Sequence, residues 1–467
     1  MRLYNQSANK GGIAVKQILS VLMTFVLLLT GGGGQAGGKA PEGGGNARTL
    51  AQPVYPKFPV YPEEPGEGES WEEFFQAQSA YYDALRALRG GGVETAAQAH
   101  LNDFAGRSTA LALAGHEGEN AVYSPLSLWS ALAMLGQCAQ GDSRRQVLDA
   151  LGVDSVDGLQ EEVAQVWRGL YTDDGQSSLI LANSIWLNNA LGGCYVQETL
   201  DTLSQKYYAG AYAVPMGTEE ADRAVSGWVK EQTNGLIGGD QPVVRTKAET
   251  LALLASSLYY RAGWTDEFNA DQTEEDTFTA AAGQESRVDF MHRTERASFL
   301  RRKGYQAASL GTRLGEMVFV LPDEGVSPES LLQDPDFLAG LDIRGRDSRS
   351  GEVQWSVPKF DVDSDLGLLD TLSALGIADL LNPDRADLSA LTDLDAYVSD
   401  AKQLARVKVD EEGVEAAAVT IITMDCTSAM PPMDPEICVM DLDRPFLFVI
   451  RTEDIPLFIG VVNQVQA

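Results

Sequence analysis

The segment from Arg406 to Met430 constrains this chain more than any other. It opens as a strand, with Ala405, Val407 and Val409 alternating against Arg406 and Lys408. Three acids follow, Asp410, Glu411 and Glu412, and then Gly413, a sequence that leaves a sheet. What comes next is unusual for a surface loop: residues 414–430 contain neither Pro nor Gly and are mostly small or β-branched. Read at period two, one face is Val414, Ala416, Ala418, Thr420, Ile422, Met424 and Cys426. It carries no charge and fits between two buried strands, while the other face holds Glu415 and Asp425. An exposed helix is the competing reading. Ala416, Ala417 and Ala418 favour it, but Val419, Thr420, Ile421, Ile422 and Thr423 oppose it. A segment launched by a hinge is thus also competent to be an interior strand.

Taken with its flanks, this pattern resembles a known family. Glu411-Glu412-Gly413-Val414-Glu415-Ala416-Ala417-Ala418 resembles the hinge of the serpin reactive loop. Asp443-Arg444-Pro445-Phe446-Leu447-Phe448 and Leu457-Phe458-Ile459-Gly460 resemble that family's C-terminal strands. Asn120-Ala121-Val122-Tyr123-Ser124-Pro125-Leu126-Ser127 resembles its strand-to-helix junction, and Val357-Pro358-Lys359-Phe360 one of its strand signatures. The resemblance implies an α+β serpin fold: a large, mostly antiparallel central sheet, further sheets, surrounding helices and an exposed reactive loop. It implies an inhibitor rather than an enzyme. A serine protease would cleave the loop, form a covalent acyl complex, and be trapped as the loop enters the central sheet. A cysteine protease is the second candidate partner.

The same resemblance assigns residues. Counted from Gly413, the reactive bond is Thr427–Ser428, with Cys426, Ser428 and Ala429 as alternative positions. A small, uncharged Thr427 suits a shallow elastase- or subtilisin-type pocket better than a trypsin-like one, whose carboxylate would lack a partner. Ser124, Ser127, Ser256, Trp264, Lys359 and Gln403 fall in the region where the sheet opens, and Glu411 is expected to pair with Lys359 near Trp264. Several positions depart from the family pattern. Ser256 stands where Asn is usual, Gln403 where many members have His, and Val414 where Thr or Ser is typical. The rival functions are a non-inhibitory serpin, acting as chaperone or carrier, and a cell-surface adhesion protein.

Composition narrows the partners. The 467 residues carry 67 acids against 35 bases, a net charge of −32, which opposes nucleic acid and anionic membranes and favours a soluble monomer. Other chemistry finds little footing. With only His100, His116 and His292 and no G-x-S-x-G elbow, a Ser-His-Asp triad has weak support. His116-Glu117 lacks the second His of a zinc motif. Asp361-x-Asp363-x-Asp365 hints at a calcium loop, but Leu366 occupies the required Gly position, so a solvated strand is the better reading. No metal or cofactor is expected. Cys138, Cys194, Cys426 and Cys438 form no CxxC pair. A Cys426–Cys438 bridge would close a ring across the cleavage site.

In chain order, residues 1–36 read as a signal peptide: Arg2, Lys10 and Lys16 flank an apolar core from Ile18 to Leu29. Leu28-Leu29-Thr30-Gly31-Gly32 resembles a bacterial lipoprotein box without the acceptor Cys. The expectation is a bacterial protein, secreted or held at the cell envelope. Residues 37–70 form a Gly/Pro-rich acidic linker, extended and partly polyproline-like. Residues 71–92 give an accessory helix from Trp71 to Leu88, and 93–467 the serpin domain. Within it, Ser124 and Pro125 open a helix carrying Leu128, Ala131, Leu132 and Leu135. Ser143-x-x-Gln146 reads as a capping box for the next helix. Leu181–Leu187, Leu251–Tyr260 and Met317–Leu321 read as buried strands.

Overall fold

The computed structural model describes residues 20–31, 47–53, 55–62, 65, 70–90, 92–174, 177–237, 242–411 and 435–466. Its first half comprises β1 (Ser20–Gly31), β2 (Arg48–Ala51), α1 (Trp71–Arg89), α2 (Thr95–Ala112), β3 (Ala121–Tyr123), α3 (Pro125–Cys138), α4 (Gly141–Leu151), α5 (Val156–Leu170), β4 (Thr172–Asp173), β5 (Ser178–Asn188), α6 (Gln197–Lys206), β6 (Ala209–Val214), α7 (Glu219–Gln232) and β7 (Thr250–Arg261). The second half adds β8 (Thr273–Thr279), β9 (Glu285–Arg302), β10 (Tyr305–Thr312), β11 (Gly315–Pro322), α8 (Pro328–Leu331), β12 (Arg349–Pro358), β13 (Phe360–Gly367), α9 (Leu369–Ala374), β14 (Ala396–Val409), β15 (Glu436–Asp441), β16 (Phe446–Thr452) and β17 (Ile455–Val462).

These strands build two sheets. One runs β13-β14-β1-β7-β5-β6-β2, with β4 beside β5; the other runs β15-β12-β9-β10-β11-β16-β17-β3, with β8 beside β9. Pairing is antiparallel except between β5 and β6 and between β12 and β15. Helix α3 lies against both sheets, touching β7 and β17. Its apolar residues are therefore buried on every side, Trp129, Leu132 and Leu135 among them. Its start follows the local sequence: Ser124 is extended and its Oγ accepts from the Ser127 N–H at 3.2 Å, and Pro125 occupies the first turn, where its missing N–H costs nothing.

The expected strands and helices are present, but the capping box is not. Helix α4 begins at Gly141, with Gln140 at its cap, so Ser143 already sits in the first turn. Its Oγ instead accepts from the Asp387 N–H at 3.1 Å, and the Gln146 Oε1 accepts from the N–H groups of Ala378 and Asp379. Tertiary partners took the side chains that a local box would have used.

The described residues before α1 differ more. Arg48–Ala51, expected in a linker, adds β2 to the edge of β6. The following chain lies on the body: Tyr55 stacks against Trp167 and Tyr208, which are themselves stacked 4.0 Å apart, at ring separations of 5.3 and 6.2 Å, and Phe58 packs 4.8 Å from Tyr171. Tyr61 meets Phe74 and Tyr81 of α1, and the Tyr81 hydroxyl donates to Asp174 at 3.0 Å. From Ser20 on, the apolar run expected as the core of a leader forms β1, between β14 and β7 in the first sheet.

Candidate functional site

The residues expected to govern sheet opening gather at two levels along the gap between β7 and β14. The outer level lies where β14 ends. Trp264, 3% exposed, donates its Nε1–H to the Asp410 carbonyl at 3.0 Å, and its ring meets Phe268 edge-on at 6.0 Å. Lys359, between β12 and β13, holds its Nζ 3.1 Å from Glu411 Oε2, while Thr273 donates to Glu411 Oε1 at 2.9 Å. Burial alone would raise the Glu411 pKa. Its own backbone N–H, Thr273 and Lys359 outweigh burial and hold the carboxyl below its ordinary value. Beside this latch opens a cleft of about 400 Å³, lined by Lys359, Asp361, Lys408, Asp410, Glu411 and Gln466.

The inner level is neutral and dry. The Gln403 side chain, on β14, accepts from the Ser124 N–H at 3.1 Å and donates to the Ser124 carbonyl at 3.0 Å. Ser127, three residues on, donates its hydroxyl to the Ser256 carbonyl of β7 at 3.3 Å. All four residues are buried. The N-terminus of α3 thus holds β14 with one hand and β7 with the other. The amide of Gln403 supplies one acceptor and one donor, the same pair that a neutral imidazole offers, without a titrating proton. Ser256 contributes its backbone carbonyl, a role no side-chain pattern reveals.

Strand β1 runs past both levels. It is antiparallel to both neighbours, from Ser20 opposite Lys408 and Arg261 to Gly31 opposite Ala396, with Phe25 in register with both Gln403 and Ser256. Strands β7 and β14 consequently run in the same direction with one strand between them. Chain leaving β14 at Asp410 and turning back would take the direction of β1. At about 3.3 Å per residue, the 12 residues of β1 measure about 40 Å.

The remaining expected positions separate cleanly. Glu412, Gly413, Val414, Glu415, Ala416, Ala417 and Ala418 of the hinge, the bond Thr427–Ser428, and Cys426 lie outside the described residues. Cys438 is a buried free thiol whose pKa burial pushes up to about 11. Asp361 and Asp365 stand on β13, where Arg406 and Lys402 of β14 face them at 2.7 and 3.8 Å, an arrangement of cross-strand pairs. His100 lies 2.9 Å from Glu162. Among the described residues no group of three His, Cys, Asp or Glu side chains is placed to hold a metal.

Comparison with known proteins gives this arrangement its family. Residues 99–465 match the serpin (serine protease inhibitor) family. The chain belongs to the serpin family. Serpin-Z2B of Triticum aestivum is 31% identical over 392 residues, covering 78% of this chain and 96% of that protein. The native-state crystal structure of tengpin, a thermophilic serpin, superposes with a TM-score of 0.68 at 25% identity, over 80% of this chain and 95% of that one. Human thyroxine-binding globulin shares the fold, with a TM-score of 0.68 at 22% identity over 80% of this chain and 99% of its own. These relatives are a plant protein, a thermophilic serpin and a human protein, and the first and last lend no support to a bacterial secreted type. The expected α+β serpin fold is the fold observed.

Proposed function

We propose that this serpin inhibits serine proteases of the elastase or subtilisin type as a suicide substrate. The protease serine Oγ attacks the Thr427 carbonyl, the bond to Ser428 breaks, and the Ser428 nitrogen leaves with the proton delivered by the protease base. An ester joins Thr427 to the enzyme. The freed loop then enters the gap between β7 and β14, and the tethered protease is carried along the sheet before water hydrolyses the ester.

One observation carries this reading. The first sheet holds a strand between β7 and β14 that runs as the loop would run from Glu411, and the loop's own uncharged face from Val414 to Cys426 suits that position. The reading requires a native fold trapped above a more stable inserted one. The apolar leader, with Arg2, Lys10 and Lys16 before it, supports export from the cell, and the lipoprotein-like box is what favours a bacterial source. A cysteine protease is the second partner class.

A binding rather than inhibitory role, such as the name thyroxine-binding globulin gives to that relative, is favoured by one observation: the gap already contains β1. Inhibition is tested with the chain lacking residues 1–36, incubated with elastase and with subtilisin and resolved by denaturing electrophoresis. A covalent complex is expected. Thr427→Arg should transfer trapping to trypsin-like proteases, because the primary pocket alone is changed. Equal trapping of elastase by both forms would remove Thr427 from the bond.

A further inference from the structure

The strand in the gap belongs to the N-terminal segment. β1 is Ser-Val-Leu-Met-Thr-Phe-Val-Leu-Leu-Leu-Thr-Gly, without a charge from end to end. It is paired on both edges along nearly its whole length, from Ser20 to Gly31 with β14 and from Ser20 to Thr30 with β7. An interior strand paired on both edges is favoured by a continuous apolar run, and this sequence is one, broken only by Ser20, Thr24, Thr30 and Gly31. The loop segment that would take the same place carries Glu415 and Asp425 on its second face. Residue for residue, the N-terminal segment is the more apolar occupant.

Position reinforces composition. Ser20 lies opposite Lys408, two residues before the chain leaves β14 at Asp410, so β1 begins where an entering loop would begin. Phe25 stands level with Gln403 and Ser256, the two points at which α3 grips the flanking strands. An entering loop would have to displace β1 from both edges before passing that level. Because the strand is tethered to the same chain, its effective concentration at the gap stays high without any partner.

We propose that residues 20–31 act as an internal blocking strand, which closes the insertion gap to the reactive loop for as long as they remain attached. Removal of the leader then converts a locked precursor into a competent inhibitor. This proposal rests on the loop-insertion reading given above. It reconciles a filled gap with an inhibitory hinge: the precursor is inert and becomes active when it is processed.

The test uses the full chain. Two adjacent register pairs, Phe25→Cys with Ser256→Cys and Val26→Cys with Ala255→Cys, are made separately with Cys194→Ser, the one exposed thiol among the described residues, and with Cys426→Ser. Facing antiparallel positions have Cα separations within disulfide range. Phe25→Cys with Ala252→Cys, four residues out of register, is the control. Disulfide formation in the folded protein is expected for at least one registered pair and not for the control. The second arm compares the full chain with its Phe25→Asp/Leu27→Asp variant, in which two charges expel the strand. Full chain nicked in the loop by subtilisin should keep its thermal midpoint and form no covalent complex. The variant should gain a higher midpoint on nicking and form the complex.

Absence of both registered disulfides, together with protease trapping by the unmodified full chain, would overturn the blocking strand and leave the inhibitory function standing. Disulfides in register with no trapping by either form would overturn inhibition, and the blocking role with it.

Discussion

The mouth and the middle of the strand gap are held in opposite ways. At the outer level the fastening is charged and half open to water: Lys359 is 36% exposed where it meets Glu411. At the inner level Ser124, Ser127, Ser256 and Gln403 are neutral, buried and joined by four hydrogen bonds, the cap of α3 among them. Solvent screens the first fastening and leaves the second at full strength. A gate built this way can loosen at its mouth, where a loop would start to enter, while its middle stays registered on α3. The difference assigns timing: the latch governs entry, and the clip governs completion.

The sharpest way to break this contrast is at the clip. Gln403→Leu strips the buried Ser124 N–H of its acceptor, and an unpaired buried donor costs roughly 1–3 kcal/mol. Urea unfolding should show that loss at every salt concentration. A salt-dependent loss would place the clip in contact with solvent and void the comparison.

Trp264→Phe comes next. It removes the donor to the Asp410 carbonyl but keeps an aromatic ring beside Phe268. A cost of about 1–2 kcal/mol is expected, together with, in the chain lacking residues 1–36, faster spontaneous conversion to an inserted form, followed by native electrophoresis on warming. Unchanged conversion would mean that Trp264 packs without fastening.

Glu411→Gln should have the smallest effect, below about 1 kcal/mol, because its partner lysine is partly open to solvent. Here pH is the sharper probe. The folded carboxyl titrates below its unfolded value, so the unfolded chain takes up the proton first as pH falls. Its stabilisation is therefore complete above about pH 4.5 and lost as pH drops through the lower folded value. The variant should lack that acid-limb component, whereas Gln403→Leu should retain it. Identical acid limbs for Glu411→Gln and the unmodified protein would show that Glu411 adds no pH dependence to the latch.

Both fastenings were partly legible in the sequence, for different reasons. Ser124 with Pro125 announces a helix start on local chemistry alone, and the alternation of Ala405, Val407 and Val409 announces a half-buried strand. Lys359 and Glu411, 52 positions apart, meet only because β13 and β14 pair, and family resemblance rather than spacing brought them together. The grip on Ser256 is a backbone carbonyl and leaves no side-chain trace. The N-terminal segment was illegible for a physical reason: an uncharged apolar run satisfies an export leader and a central strand equally well. Tyr55, Phe58 and Tyr61 recur every third residue between prolines, the period of a polyproline helix, so they share one face, but that face does not say what it packs against.

The central claim is that a loop launched at Glu411 captures a protease by entering between β7 and β14. Its most direct test is mass spectrometry of the leaderless chain after reaction with subtilisin. The account predicts a denaturation-resistant species whose mass is the protease plus the inhibitor up to Thr427, and a released peptide that begins at Ser428. A fully cleaved inhibitor beside free, active protease would contradict it. So would a released peptide that begins beyond Pro431.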